Sequence, residues 1–438
     1  MTYYLVTYGC QMNKSDSERI AFILEKMGIK KSSSLETANI VVFNLCSVRQ
    51  ASIDRAKSVI FRVVKKNQSK KTSQKQKILV TGCLLPKDQK LFRETADFVF
   101  KIDKLSQLPQ KIDKLLPQTR KKMCLPGEYL KMPTLSADPY TAYVPIMTGC
   151  NNFCSYCVVP YTRGREKSLE PEIILKNVKE LLAQGYKRII LLGQNVNSYK
   201  GASRNGFVDF PSLLKRISRL PGDFWLAFIT SHPKDLSDDL IKVVFSSKKI
   251  CKYFHLPIQS GSDAILKKMN RGYTVKQYSA IIRKIKKAVG KQKLLTAIST
   301  DVILGFPGEK NSDFAKTKRL LQKVCYDMVY SGKYSPRELT SASKLKNDID
   351  NRVKDARQKL IQKVIKDCSF RNNKKYVGKT MKILVEGKNN QYLLGQNEQF
   401  KNVRCLITPD AKERLVGKFV LVKIIQANPW GLIGNLAS

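Results

Sequence analysis

The sequence predicts an α/β protein in three parts: a doubly wound parallel-sheet domain, a partial (β/α)6 barrel and a small OB-like β-barrel. Three observations predict it. Strand and helix signals alternate over residues 1–117, they alternate again from about residue 140, and after residue 374 they give way to short β-rich runs joined by Gly and Asn turns. The expected boundaries are 1–117, a linker at 118–139 carrying Pro126, Pro133 and Pro139, a core at 140–373 that ends in a Lys-rich helical stretch (about Asp348–Asn373), and 374–438.

In the first part, the β-branched runs Tyr4–Tyr8, Ile40–Phe43, Ile78–Thr81 and Phe98–Ile102 read as strands, and Ser17–Met27 and Ile53–Lys66 as helices between them. A cysteine follows each of the first three strands: Cys10, Cys46 and Cys83. Open parallel sheets bind ligands at the carboxyl ends of their strands, so these distant cysteines are expected to converge. Gly9 and Gly82 precede two of them, as tight turns favour. Three unrelated core cysteines are the plain alternative. The stretch Ser69–Lys77 reads as a solvated loop.

In the second part, six strands are expected at Tyr143–Met147, Arg188–Leu192, Trp225–Thr230, Tyr253–Pro257, Thr300–Leu304 and Met328–Tyr334. Helices such as Pro171–Gln184, Phe210–Arg219 and Thr274–Val289 separate them. A β/α barrel builds its site from the loops that follow its strands. Polar motifs stand there: Gly193-Gln194-Asn195-Val196-Asn197, Ser231-His232-Pro233, Gln259-Ser260-Gly261-Ser262 and Gly305-Phe306-Pro307-Gly308-Glu309. The loop after the first strand carries Cys150, Cys154 and Cys157 in the spacing Cys-x3-Cys-x2-Cys. Three thiolates from one loop can hold three irons of a 4Fe–4S cube and leave the fourth iron open to a substrate or cosubstrate. A structural zinc site needs four ligands, and the two histidines, His232 and His255, lie far away. A disulfide reading needs an even count and an oxidising compartment. In the third part, the strand-like runs are Thr380–Glu386, Gln391–Leu394, Val403–Ile407, Phe419–Ile425 and Leu432–Asn435.

The chain has 438 residues, 80 Lys+Arg against 35 Asp+Glu, and a net charge of +45. A field of that sign attracts a polyanion, nucleic acid first, although a Lys-favouring composition would also raise the count. Eleven cysteines in such a chain point to metal ligation before disulfides. No apolar run approaches the length of a membrane span, and Met1–Cys10 has no signal-like pattern, so a cytoplasmic protein without membrane contact is expected.

The cysteine loop resembles the radical S-adenosylmethionine (SAM) superfamily. The whole chain is similar to the MiaB-type methylthiotransferases, in the order methylthiotransferase domain, radical SAM core, TRAM domain. The resemblance rests on Tyr8-Gly9-Cys10-Gln11-Met12-Asn13, Asn44-Leu45-Cys46-Ser47-Val48-Arg49, Gly82-Cys83, Tyr161-Thr162-Arg163-Gly164-Arg165-Glu166 and Leu192-Gly193-Gln194-Asn195-Val196-Asn197-Ser198-Tyr199. It implies two 4Fe–4S clusters, one on Cys150, Cys154 and Cys157 that cleaves SAM to a 5′-deoxyadenosyl radical, and an auxiliary one on Cys10, Cys46 and Cys83. For SAM itself, Tyr156 near the adenine and Gln194, Ser231, Gln259 and Asp301 at the strand ends are the expected contacts.

The implied reaction is 2-methylthiolation of N6-isopentenyladenosine 37 in tRNA, using two SAM per turnover. The implied partners are a tRNA anticodon stem-loop, a low-potential electron donor of flavodoxin or ferredoxin type, and sulfur- and cluster-supply proteins. A monomer is expected, with phosphate contacts from Lys374, Lys375, Lys379 and Lys382. The alternatives are sulfur transfer to an aspartate of ribosomal protein S12 or to threonylcarbamoyl-adenosine, and a noncatalytic RNA-binding iron–sulfur protein. Two departures stand out: Leu45 where the family usually has Thr, and Glu338-Leu339 where it has Pro-Gly after Tyr-Ser-x-Arg.

Overall fold

The first elements are β1 (Thr2–Tyr8), α1 (Gln11–Lys26), β2 (Lys30–Lys31), β3 (Ile40–Cys46), α2 (Gln50–Gln68), β4 (Lys77–Cys83), α3 (Pro86–Arg93), β5 (Phe98–Val99) and α4 (Leu108–Leu115). The computed structural model that shows them describes residues 1–69, 71, 74–116, 125–292, 294–406 and 415–437. The five strands are parallel, in the spatial order β2-β1-β3-β4-β5. Order reverses between β1 and β3, and that switch point opens the crevice in which doubly wound sheets bind ligands. Alternate residues of β3 and β4 feed opposite faces. Ile40, Val42 and Leu79 pack with Ile20, Ile23 and Leu24 of α1, whereas Val41, Phe43, Ile78 and Val80 pack with Ile53, Ile60 and Val63 of α2.

The second part runs β6 (Thr141–Pro145), β7 (Met147–Thr148), α5 (Val159–Arg163), β8 (Lys167–Ser168), α6 (Pro171–Ala183), β9 (Arg188–Leu192), β10 (Lys200–Ser203), β11 (Gly206–Asp209), α7 (Phe210–Ser218), β12 (Trp225–Phe228), α8 (Asp238–Ser246), β13 (Tyr253–His255), α9 (Asp263–Lys268), α10 (Val275–Gln292), β14 (Ala297–Leu304), α11 (Asn311–Val324), β15 (Met328–Lys333) and α12 (Asn351–Lys374). β6, β9 and β12 form one parallel sheet and β13, β14 and β15 another. A parallel bridge from Leu226 to Ile250 joins them. The six expected strands are thus present in sequence order around an open barrel.

The third part is a closed barrel, β16-β17-β18-β20-β19, made of β16 (Thr380–Lys388), β17 (Tyr392–Asn397), β18 (Asn402–Leu406), β19 (Phe419–Asn428) and β20 (Gly431–Leu436). It docks on the amino-terminal ends of the core strands. Arg188, which begins β9, donates to Gln396 at 2.9 Å and pairs with Glu386. Trp225, which begins β12, packs against Phe419, and Lys401 pairs with Asp327 just before β15 at 2.7 Å. The small barrel therefore lies at the end opposite the catalytic rim.

Two expectations change. The stretch read as a linker is a packed strap where it is described, from residue 125. Tyr129, Leu130 and Met132 are buried, and the Tyr129 hydroxyl donates to Asp16 of α1. Apolar residues between prolines found a surface to cover, which a count of prolines does not show. The end of the Ser69–Lys77 stretch is not loop: Gln76 is buried, its amide donating to Leu35 and Ala38 carbonyls at 2.6 and 2.8 Å, and Lys77 opens β4. Residues 70, 72, 73 and 117–124, and Ile407 of the strand expected at Val403–Ile407, lie outside the described residues.

Candidate functional site

Cys10 is the residue before α1, and Cys46 and Cys83 are the last residues of β3 and β4. Cys46 and Cys83 are register partners across those strands, and their thiols lie close enough to shift each other's ionisation. Cys10 is held nearby by Asn13, whose side-chain oxygen accepts from Cys10 N at 3.2 Å and from its thiol at 3.4 Å. Asn13 Nδ2 in turn donates to Asn44 Oδ1 at 3.1 Å and to the Leu45 carbonyl at 3.2 Å. Ser52 closes the corner, donating to the Tyr8 carbonyl and accepting from Cys46 N. Gly82 is required here. Its φ is +119°, and a Cβ would stand 2.0 Å from the Leu45 carbonyl oxygen. The switch-point geometry thus gathers the three cysteines into one cluster.

The second triad lies on the loop after β7. Cys150 N donates to the Gly164 carbonyl at 3.1 Å, and Cys157 N to Cys154 O at 2.9 Å. Ser155 anchors the loop to the end of α9, through Lys268 O and Met269 O, and its own carbonyl accepts from Ala342 N. The Cys157 thiol is pushed up to about 12, by burial first and then by its Cys154 and Cys150 neighbours.

Each triad has a buried arginine on one sulfur. Arg271 Nη1 donates to Cys154 Sγ and to the Tyr156 hydroxyl, both at 3.3 Å, and Nη2 to the Pro257 carbonyl at 2.9 Å. Arg163 Nε donates to Cys83 Sγ at 3.0 Å, while its two terminal nitrogens reach both oxygens of Asp16 at 3.2 and 2.5 Å. The Cys83 thiol is pushed down to about 7, chiefly by the hydrogen bond from Cys46 and also by Arg163, against burial. Arg163 ends the short helix that follows the second triad, yet its side chain belongs to the first. One residue ties the two triads together.

Among the described residues no three His, Cys, Asp or Glu side chains meet closely enough to hold a single metal ion. A 4Fe–4S cube takes each thiolate on a separate iron, so its cysteines need not converge on one point. Beyond the second triad the rim carries orphaned polar atoms. Gln194 Oε1, both amide atoms of Asn197, Ser231 Oγ and His232 Nε2 are buried with no hydrogen-bond partner among the described residues. Buried polar groups normally find partners, so a cluster of orphans marks a place for a polar ligand. They share one corner: Thr230 Oγ1 donates to Gly193 O at 2.7 Å, and His232 N to Asn195 Oδ1 at 2.9 Å. Burial, with Arg271 and Lys234, pushes the His232 imidazole down to about 2, so it stays neutral.

Gln194 and Ser231, two of the residues that the sequence reading offers to SAM, stand in this corner. Tyr156 is near the second triad, tied to Arg271. Gln259 contributes backbone: its N donates to Asp301 O at 2.9 Å, with φ at +68°. Asp301 faces His255 Nε2 at 3.2 Å, and His255 Nδ1 meets Ser299 Oγ at 2.8 Å. Of the lysines expected at phosphate, Lys382 is paired with Asp223 at 2.5 Å and Lys375 donates to Asn372 at 2.8 Å. Asn13, Arg163, Asn197, His232 and Arg271 are the residues that sequence reasoning gave no role. Asn13, Arg163, Asn197 and His232 sit in motifs the sequence displays, but only tertiary contact sets what surrounds them; Arg271 sits in none of those motifs.

The family-model description "Radical SAM superfamily" matches residues 144–321, "Uncharacterized protein family UPF0004" residues 2–101, and "TRAM domain" residues 374–437. A tRNA-2-methylthio-N(6)-dimethylallyladenosine synthase of Dictyoglomus thermophilum is 40% identical over 99% of this chain and 98% of its own length. Synthases of the same name from Carboxydothermus hydrogenoformans and Clostridium botulinum are 37% and 38% identical, over 99% of this chain and 99% and 96% of theirs. The chain belongs to this family of MiaB-type methylthiotransferases. Two solved structures share the fold of this family member at low identity. The radical SAM methyltransferase TsrM from Kitasatospora setae with tryptophan and a SAM analogue bound gives a TM-score of 0.52 at 12% identity, covering 78% of this chain and 75% of that one. The cobalamin-dependent radical SAM enzyme OxsB gives 0.51 at 13%, covering 83% and 55%.

Both family departures are visible in contacts. Leu45 lends its carbonyl to Asn13. Glu338 accepts from Lys87 N at 2.9 Å, docking the loop after β15 on α3, and Leu339 takes a left-handed φ of +70°, a conformation that a glycine would adopt without strain.

Proposed function

We propose that this chain methylthiolates C2 of N6-isopentenyladenosine 37 in tRNA, consuming two SAM per turnover. The observation that carries the reading is the pair of three-cysteine sites, one at the rim of a radical SAM barrel and one at the switch point of the sheet beside it, bridged by Arg163. Cys150, Cys154 and Cys157 would hold one 4Fe–4S cluster, and Cys10, Cys46 and Cys83 the second. When bound, clusters and SAM supply the one-electron chemistry that an unactivated aromatic C–H bond demands, and the sulfur.

The chain's own residues do the rest. Gln194, Asn197, Ser231 and neutral His232 offer unpaired donors and acceptors to the polar groups of SAM, with Tyr156, Gln259 and Asp301 as further contacts. Arg163 and Arg271 donate N–H bonds to Cys83 and Cys154, and Arg163 favours the Cys83 thiolate. We divide the chain at 1–117, 118–139, 140–373 and 374–438, and the starts of the three matched models, residues 2, 144 and 374, accord with that division. No described helix is long and apolar enough to cross a membrane. A cytoplasmic monomer, reduced by a low-potential flavodoxin or ferredoxin and resupplied by sulfur and cluster donors, completes the reading.

Substrate choice tests it. An apolar prenyl group can fill a pocket that unmodified adenosine leaves empty, and each buried methylene is worth about 0.8 kcal/mol. Reduced enzyme and SAM are incubated with prenylated stem-loop, unmodified stem-loop and ribosomal protein S12, and the methylthio mass gain is followed. Gain on the prenylated RNA is expected, with little on the others. Gain on S12 alone would sink the reading.

The charge of +45 makes a second expectation. Affinity for tRNA should fall linearly on a log–log plot against salt, by about 0.7 per phosphate contact for single strands. An affinity flat between low and moderate salt would show that the lysine excess does not serve RNA.

A further inference from the structure

Away from both triads, two further cysteines lie side by side, one of them on the wall of a cavity. Cys325 caps the carboxyl end of α11 in a left-handed conformation, φ +56°, and Cys368 lies on α12. The Cys325 thiol donates to the Cys368 carbonyl oxygen at 3.9 Å, and it stands close enough to the Cys368 thiol to raise it. Cys325 is half-buried and forms part of the wall of a cavity of about 360 Å³, while Cys368 is buried. The same wall carries the cations Lys286, Arg371 and Lys375. The acid Asp327, also on it, is already paired with Lys401 at 2.7 Å. Lys286 is fixed beside Cys325 by its bond to the Val324 carbonyl at 2.8 Å.

We propose that Cys325 and Cys368 form a reversible thiol–disulfide site, oxidised by a low-molecular-weight anionic disulfide that the basic cavity admits. Cys325, the accessible thiol, attacks one sulfur of the incoming disulfide as thiolate, forming a mixed disulfide and releasing one thiolate. Cys368 then attacks the Cys325 sulfur, forming the internal bond and releasing the second thiolate. The protons of the two cysteines pass to the two departing thiolates. Two cysteine thiols are oxidised and one disulfide is reduced to two thiols, so no other oxidant is needed. The order of attack follows from burial, which pushes the Cys368 thiol up to about 12 and disqualifies it as the first nucleophile. The bond would tie the end of α11 to α12, the helix that leads from the core to the small barrel.

The test uses the full-length enzyme with its clusters, held anaerobically with glutathione disulfide, then acid-quenched, alkylated and mapped by peptide mass. The expected product is a Cys325–Cys368 cross-linked peptide, two hydrogens lighter than the reduced pair and reversed by glutathione. Cys368→Ser should trap Cys325 as a stable glutathione adduct, and Cys325→Ser should leave Cys368 unmodified. The uncharged hydroxyethyl disulfide should cross-link several-fold more slowly. A wild-type chain that carries a lasting adduct on Cys325, or that leaves both thiols free while cluster cysteines react, would overturn the site. Equal rates with both disulfides would overturn the role of the cations. The wild-type cross-link decides the matter even where a variant fails to fold.

Discussion

Replacing Cys150, Cys154 and Cys157 together with Ala is expected to abolish SAM cleavage and leave one cluster in place. Replacing Cys10, Cys46 and Cys83 should leave SAM cleavage running and stop sulfur insertion. The reason is spatial. The orphaned polar corner of Gln194, Asn197, Ser231 and His232 belongs to the barrel and reaches the second triad through Tyr273 and Arg271, against which His232 and Cys154 lie. Nothing in that chain of contacts passes through β3 or β4. Iron content should drop from about eight to about four per chain in either triple variant. Activity separates the two. A wild type that reconstitutes with one cluster, or with zinc, defeats the two-site reading, and loss of SAM cleavage in the Cys10, Cys46 and Cys83 variant would make the sites interdependent.

What made this arrangement legible was the coincidence of two simple signals, period and cysteine. Ile40–Phe43 and Ile78–Thr81 read as buried strands because both faces of a parallel sheet are covered, which gives continuous apolar runs. Cysteines at their ends then inherit a position from topology alone. The rim was legible for the same reason. Gln194, Asn197, Ser231 and His232 could be placed because their motifs follow strands, but position alone did not say which side chains in each motif turn inward unpaired. The arginines were out of reach for a different reason. Arg163 meets Asp16 across 147 residues, and Arg271 meets Cys154 across 117. A buried cation has no periodic signature, since its partner is set by tertiary contact. The strap at Tyr129 failed similarly: prolines advertised irregular backbone, but whether that backbone is free or packed depends on the surface α1 presents.

Arg163 carries the second large expectation. Its side chain is 3% exposed and that of Asp16 is 0% exposed, so the pair is desolvated on both sides. Removing one partner of such a pair leaves an uncompensated buried charge, which costs about 3–5 kcal/mol. Arg163→Gln should therefore lower stability by that order in urea unfolding, and Asp16→Asn by a similar amount. The double variant should lose less than the sum, since neither group is then left charged alone. Stability is only half of the effect. Arg163 also donates to Cys83 Sγ, so its positive charge sits beside the proposed auxiliary cluster and favours the more reduced, more negative state. In a Cys150, Cys154 and Cys157→Ala background only that cluster remains. There, Arg163→Gln is expected to shift its midpoint potential to more negative values in a redox titration followed by electron paramagnetic resonance. Arg163→Lys, which keeps the charge and loses the two-oxygen grip on Asp16, should recover the potential better than the stability. If Gln and wild type share one potential while stability falls as expected, Arg163 holds the two halves of the site together and does not tune the cluster.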